Sequence, residues 1–570
     1  MDLKNRTELA HIFLLTGLLF GIAAAIYHSY LFGGSVYIFR DVGSDTFNQY
    51  WPDIESFFRK IHGGELHAWL FSMGLGNALP VILHYVADPF TLLLVFFPDG
   101  TLAFGLIWVA VLKELAAGIL MYLFCREIGL RRSSSMLAGI LWAFSGYMVL
   151  WGQHYFMATA LPCYAMVMLG LVLYRHRRSG KLMMLGLWLA AVNSVYTAAW
   201  IVIGFLITIL VLYLLEEKKS FRRFWIYLWG YFWRGLTAAG LSAVVWLPSI
   251  LEMLRSSRYQ EQGKMGIDFF WSGSDLLDII LRGFSNNSLG INASNALGYN
   301  YYEQIMWAAS ILGIVFVFHN MIVRKGKERL LCIVTGALAL ISLVSRIPAY
   351  LLNFGKYVTY RWSYLIVFVI ILNTVYAAED ILKNRKTRRK LLIFDFSFGA
   401  ALLIVSFQVL FHFYTSEMAA EDLAVSIFVY RGCIVFLLIY FLLFFLVTFL
   451  QSEKGVLAAK MMLTCFVCME AVVLNYPTLN VNRVPVPKAG AYTMDYYSPG
   501  NREAIRWVKE FDQDLYRMER TMICGGNDPL IMDYHGTFSY GMHGKEIDEF
   551  YERNSLNDPN GDFFGLICSL

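Results

Sequence analysis

The sequence predicts an all-α polytopic membrane protein of about thirteen transmembrane helices, and three observations predict it. Of 570 residues, 58% are hydrophobic and only 16% charged, whereas a soluble chain carries about a quarter charged residues. The apolar residues gather into runs of roughly twenty, the length a helix needs to cross ~30 Å of hydrocarbon. The segments between those runs alternate between basic and poor in Lys and Arg. Inside a bilayer, helices that satisfy their own backbone are the way to build such crossings. A soluble α/β enzyme would show Gly/Pro-bounded apolar runs of about 4–8 residues instead.

In chain order the predicted spans lie near 11–32, 102–124, 134–150, 155–174, 182–195, 197–215, 224–248, 303–322, 330–345, 362–380, 391–412, 424–449 and 456–475. The run 182–215 is too long for one helix and too short for two full ones, and Asn193-Ser194 at its middle marks a break between two short helices. Basic connections carry Lys4 and Arg6, then Arg126, Arg131 and Arg132, then Arg175, Arg177, Arg178 and Lys181. Lys218 to Arg223, Arg324 to Arg329 and Lys383 to Lys390 continue the series. The positive-inside rule makes the N-terminus cytoplasmic, and an odd number of spans puts the C-terminus outside. The first apolar run has no small-residue cleavage site after it and reads as a retained span. The net charge of +5 is therefore cytoplasmic anchoring, with no basic face for nucleic acid.

This divides the chain into a membrane module, 1–475, with outer loops 33–101 and 249–302, and an extracytoplasmic region of mixed α/β structure, 476–570, with a helix near 500–513. The polar and aromatic residues concentrate in outer loops, whereas transporters keep their working residues near the midplane. Cys465 and Cys468 read as buried small residues in an apolar helix, and Cys524 and Cys568 share the tail and could pair. Asn286 and Asn292 each begin an Asn-x-Ser sequon. No P-loop, Rossmann glycine fingerprint, His-Glu-x-x-His motif or Cys/His metal cluster occurs.

The first outer loop carries the densest polar pattern. Asp41, Asp45 and Gln49 are spaced i, i+4, i+8, which a helix places on one face. From Pro52, the stripe Ile54, Phe57, Phe58, Ile61 backed by Asp53, Glu55, Arg59 and Lys60 reads as an amphipathic helix lying in the membrane interface. Carboxylates are thus held at the membrane surface. The arrangement DVGSDTFNQYWPDIESFFRKIHGGELHAW, followed by GLGNALP and ADPF, resembles the YfhO-like family of bacterial membrane glycosyltransferases of the GT-C superfamily. Ser145-Gly146-Tyr147 with Trp151-Gly152-Gln153-His154, Leu247-Pro248 before Arg255 and Arg258, and Asn353-Phe354-Gly355 before Tyr360-Arg361-Trp362-Ser363 add to the resemblance, which covers most of 8–380. Members often carry a longer outer C-terminal region than follows here, so the tail reads as a small outer domain or the start of a larger one.

The resemblance implies a GT-C-like fold and an inverting transfer of a sugar from a polyprenyl-phosphate donor to a cell-envelope acceptor, a teichoic acid or another surface glycan. The implied partners are membrane lipid and a donor-synthesising membrane glycosyltransferase; no cofactor is required by the pattern, and a divalent cation stays open. An acceptor hydroxyl must lose a proton as it attacks, and the leaving phosphate gains charge, so the chemistry asks for a carboxylate base and a cation. Asp45 is the expected base, with Asp41 the alternate or a group orienting acceptor or metal. Gln49 and Tyr50 are expected on hydroxyls, Arg361 and then Arg258 on phosphate, and Asp88 and His154 at the substrate. Each has a plainer reading: a helix cap for Asp41 and Asp88, a snorkelling anchor for Arg361, interfacial packing for His154. A lipid-linked sugar flippase would instead depend on the intramembrane Lys113, Glu114, Arg234, Arg431 and Glu470, and a non-catalytic assembly factor on the tail.

Overall fold

A computed structural model describes residues 3–554 except 41–44, 177–178, 217–219, 257–268, 272, 287–304, 356–357, 384–396, 406–419, 451, 482–484, 489–498, 515, 519–526, 538 and 540–544. Among the described residues nine helices are long and apolar enough to cross a membrane, from Arg6–Ile26 and Asp99–Glu127 at one end of the chain to Ala424–Phe449 and Glu453–Asn480 at the other. Lys181–Asn193 and Ile311–Val323 are apolar but shorter. Asn193 closes one helix and Ser194 is extended (φ −167°, ψ 135°), so the run 182–215 is two helices broken where the polar pair predicted. The expected span at 391–412 lies mostly outside the described residues.

The helices pack closely where side chains vanish. A Cβ on Gly139 would meet the carbonyl oxygen of Gly118 at 2.7 Å, so helices Leu102–Glu127 and Arg132–Ala143 cross backbone to backbone. Apolar side chains on the rim, such as Phe13, Val244 and Leu438, stay exposed, as lipid-facing residues do. Cys465 shares that rim and is exposed, which corrects its reading as a core residue.

The two ends of the bundle differ. At one end the basic connections meet acids: Glu8 receives Arg126 (2.8 Å) and Arg132 (2.9 Å), Arg175 pairs with Glu216 (2.8 Å), and Arg324 with Asp380 (2.8 Å). All are partly exposed, so each contributes roughly 0–1 kcal/mol and serves mainly to register neighbouring loops. At the other end strand Ser35–Phe39 pairs antiparallel with Pro485–Pro487, Ser35 opposite Pro487. The chain then enters helix Trp51–Gly63, with Pro in its first turn and Gly64 (φ 69°) closing it in the left-handed conformation a Cβ disfavours.

That helix has Ile54 and Phe58 fully buried, as the apolar stripe predicts, but Asp53 (0%), Glu55 (5%) and Ser56 (1%) are buried as well. Its polar face is covered rather than wet. The short helix Asp528–Met532 lies against it, taking Arg59 Nη1 on the Ile531 carbonyl (2.8 Å) and Lys60 Nζ on Asp533 (2.7 Å). Arg517 adds bonds to the carbonyls of Gly74 (2.8 Å) and Leu75 (2.6 Å). The C-terminal region contains strand Pro485–Pro487 and helices Pro499–Phe511, Asp528–Met532 and Lys545–Arg553. Cys524, Cys568 and Asn292 lie outside the described residues, and Asn286 is buried.

Candidate active site in the first long loop

Between strand and helix the chain makes a π-turn, Thr46–Tyr50, whose bonds span five residues. Its start is fixed by Thr46, whose Oγ1 accepts from the Phe39 amide (3.1 Å) and donates to the Phe39 carbonyl (3.3 Å). The wider turn changes which side chains meet. The α-helical spacing pairs Asp45 with Gln49, but here the Tyr50 hydroxyl donates to Asp45 Oδ2 at 3.3 Å. Gln49 is buried in the same turn. Asp41, expected on this face, lies outside the described residues.

Tyr50 is served in turn by His154, whose Nδ1 stands 2.8 Å from Tyr50 Oη and 3.9 Å from Asp45 Oδ2. The Tyr50 hydroxyl thus links the His154 ring to the carboxylate, giving a relay of contacts His154–Tyr50–Asp45. His154 is 2% exposed and the Asp45 side chain 22%, so a buried relay ends in one accessible carboxylate. Tyr85, Tyr155 and Phe156 surround the Tyr50 ring at 5.0–6.4 Å and hold it edge-on.

The cation arrives from the other half of the chain. His154 packs on Trp151, ring centres 5.1 Å apart, and the Arg361 guanidinium lies over Trp151 at 5.8 Å. The Tyr147 hydroxyl fixes the Arg361 carbonyl at 2.6 Å. Asp45, Tyr50, His154 and Arg361, four residues singled out in three distant segments, thus form one contiguous set. Trp151 enters the sequence reading only as part of a matched motif, because a tryptophan beside an expected membrane interface has no signal separating a bridge from an anchor. Arg346 was also missed; its guanidinium sits 4.0 Å over Trp271, which stacks on Tyr360 beside Arg361.

Asp88 is placed elsewhere. It is fully buried and accepts from Lys113 Nζ, Thr159 Oγ1 (2.7 Å), Thr91 Oγ1 (2.5 Å) and the Phe90 amide (3.2 Å). It joins the first loop to the bundle, and its bond from the Phe90 amide is the turn before Pro89 that its plainer reading named. Arg258 lies outside the described residues. Lys113 also donates to the Tyr155 carbonyl (2.7 Å), and Glu114 accepts from Tyr27 (2.6 Å). Glu470 accepts from Ser310 (3.0 Å), the Ile311 amide (2.8 Å) and Tyr440. Arg234 packs on the Tyr174 ring at 4.2 Å, and Arg431 is exposed on the rim. Among the described residues no group of three His, Cys, Asp or Glu is placed to hold a metal ion.

One acid is neither paired nor accessible. Asp53 has both carboxylate oxygens buried without a hydrogen-bond partner among the described residues, and burial pushes its carboxyl well above the usual carboxylate range.

No curated protein matches the chain. Among solved structures, the cryo-EM structure of the arabinofuranosyltransferase AftD from Mycobacteria is 14% identical with a TM-score of 0.40, covering 64% of this chain and 25% of that one. The chain spans only about a quarter of that protein's length. ArnT from Cupriavidus metallidurans, bound to undecaprenyl phosphate, is 12% identical with a TM-score of 0.45, covering 91% of this chain and 84% of that one. Its apo form gives 13% identity and the same TM-score of 0.45. The family model described as bacterial membrane protein YfhO matches residues 12–562.

Proposed function

Because the chain belongs to the YfhO family of bacterial membrane proteins, we propose that it is a GT-C-type glycosyltransferase that moves a sugar from a polyprenyl-phosphate donor to a cell-envelope glycan, with Asp45 as its base. The observation that carries this reading is the relay His154–Tyr50–Asp45 with Arg361 two aromatic contacts away. In the reaction the acceptor hydroxyl gives its proton to Asp45 as its oxygen bonds to the anomeric carbon. The bond from that carbon to the phosphate oxygen breaks, and the polyprenyl phosphate leaves with the electron pair. Attack opposite the leaving group inverts the anomeric centre. Arg361 meets the charge that develops on the phosphate, where a fixed guanidinium serves best. Tyr50 and His154 fix the orientation of the carboxylate. The acceptor is a teichoic acid or another surface glycan, and the site faces away from the basic, cytoplasmic end.

The flippase reading would put the chemistry on buried charges. Lys113 and Glu470 are each consumed by several internal partners, which favours the enzyme. The test is donor consumption by purified protein in lipid, given a polyprenyl-phosphate sugar and envelope extract, for wild type against Asp45→Asn. Consumption by wild type alone supports the reading. Equal turnover by both removes Asp45 as base, and lipid crossing the bilayer without consumption identifies a transporter.

A further inference from the structure

We infer that the C-terminal region is part of the acid-bearing site and that Asn527 is a positioning residue for Asp45, an inference that rests on the proposed role of Asp45. The reason begins at Pro52, which has no N–H to return to the turn before it. In a continuous helix that missing donor would have served the carbonyl of Asn48, inside the π-turn that carries Asp45 and Tyr50. The Asn48 oxygen instead receives Nδ2 of Asn527 at 3.1 Å, from 479 residues away in the chain.

Asn527 reaches for this contact and does not cap its own helix. It stands at the start of helix Asp528–Met532, where asparagine is a favoured cap, yet its side chain makes no capping bond. It is completely buried. The bonds from Arg59 to the Leu530 and Ile531 carbonyls and from Lys60 to Asp533 hold that helix where Asn527 reaches the turn. A second grip lies on the other side of the acidic loop, where Val486 pairs with Val36 and the Lys488 amide bonds to the Gly34 carbonyl (2.5 Å). The tail thus holds both flanks of the segment that presents Asp45, and the outer region acts on the base through the backbone.

Asn527→Asp keeps the volume and removes the donor. In the full-length protein in lipid, hydrogen exchange of amides 46–51 rises about tenfold, the scale of one lost buried hydrogen bond, while exchange in helix Leu102–Glu127 is unchanged. With a polyprenyl-phosphate sugar as donor, kcat falls about tenfold and KM stays within about twofold. Asn527→Ala, which adds no charge next to buried Asp528, gives the same pattern should the Asp variant fail to fold. Unchanged exchange at 46–51 overturns the inference, as does raised exchange with full turnover. If wild type consumes no donor, the transferase reading fails by itself, and the exchange measurement alone decides whether Asn527 holds the turn.

Discussion

Two carboxylates in the same loop end in opposite circumstances. Asp88 is fully enclosed, and donors from Lys113, Thr91, Thr159 and the Phe90 amide occupy its oxygens. Asp45 is 22% exposed and accepts from the Tyr50 hydroxyl on Oδ2 at 3.3 Å. Both stand in motifs that carry the family resemblance, so neither spacing nor motif separates them. What separates them is enclosure: Asp88 is shut off from solvent and Asp45 is not. A fully enclosed acid with its lone pairs answered by protein holds a fold together, and one that stays partly exposed can take a proton from something else.

The largest effect that would sharpen this contrast is on turnover. Asp45→Asn lowers kcat about 10²–10⁴-fold, the range of a lost general base, and leaves the thermal unfolding midpoint of the purified protein unchanged. Equal activity would dissolve the comparison. Asp88→Ala acts on the other side of it. Leaving Lys113 buried and uncompensated costs about 3–5 kcal/mol, read as a lowered midpoint, and replacing Lys113 by Met in the same chain restores part of it. Tyr50→Phe, which removes the aligned hydroxyl but keeps the ring contacts, lowers kcat about tenfold with folding intact.

The smallest effect concerns the third acid, Asp53. Its carboxyl is raised by burial, so the native chain keeps a proton that the unfolded chain releases above about pH 4. Stability therefore falls as pH climbs past that point, until the folded group itself ionises. Asp53→Asn removes the penalty, raising the unfolding midpoint at neutral pH by an amount that vanishes near pH 4. A midpoint lowered at neutral pH would mean that the charged form is held by a partner.

Much of this was legible in the sequence. Runs of apolar residues and alternating basic loops mark the spans, because length and charge are what a bilayer reads; the break at Asn193-Ser194 is visible for the same reason. Asp45, Tyr50, His154 and Arg361 were all singled out, but as isolated candidates. Their union depends on a π-turn that shifts the pairing from i+4 to i+5, and no periodicity announces a π-turn. The helix after Pro52 was legible on its apolar face only. Its polar face is covered by residues near 530, and a pattern within thirteen residues holds no information about a cover arriving from so far along the chain.

That distance also has a meaning in time. Asn527 leaves the ribosome 479 residues after Asn48, which at about 5–20 residues per second is a delay of roughly 25 to 95 s. Until Asn527 is made, the turn that bears Asp45 lacks the bond to its Asn48 carbonyl. The candidate spans among the described residues all precede Asn527 in the chain, so they are synthesised before that bond can form. The proposed base is thus positioned by one of the last-made parts of the described chain.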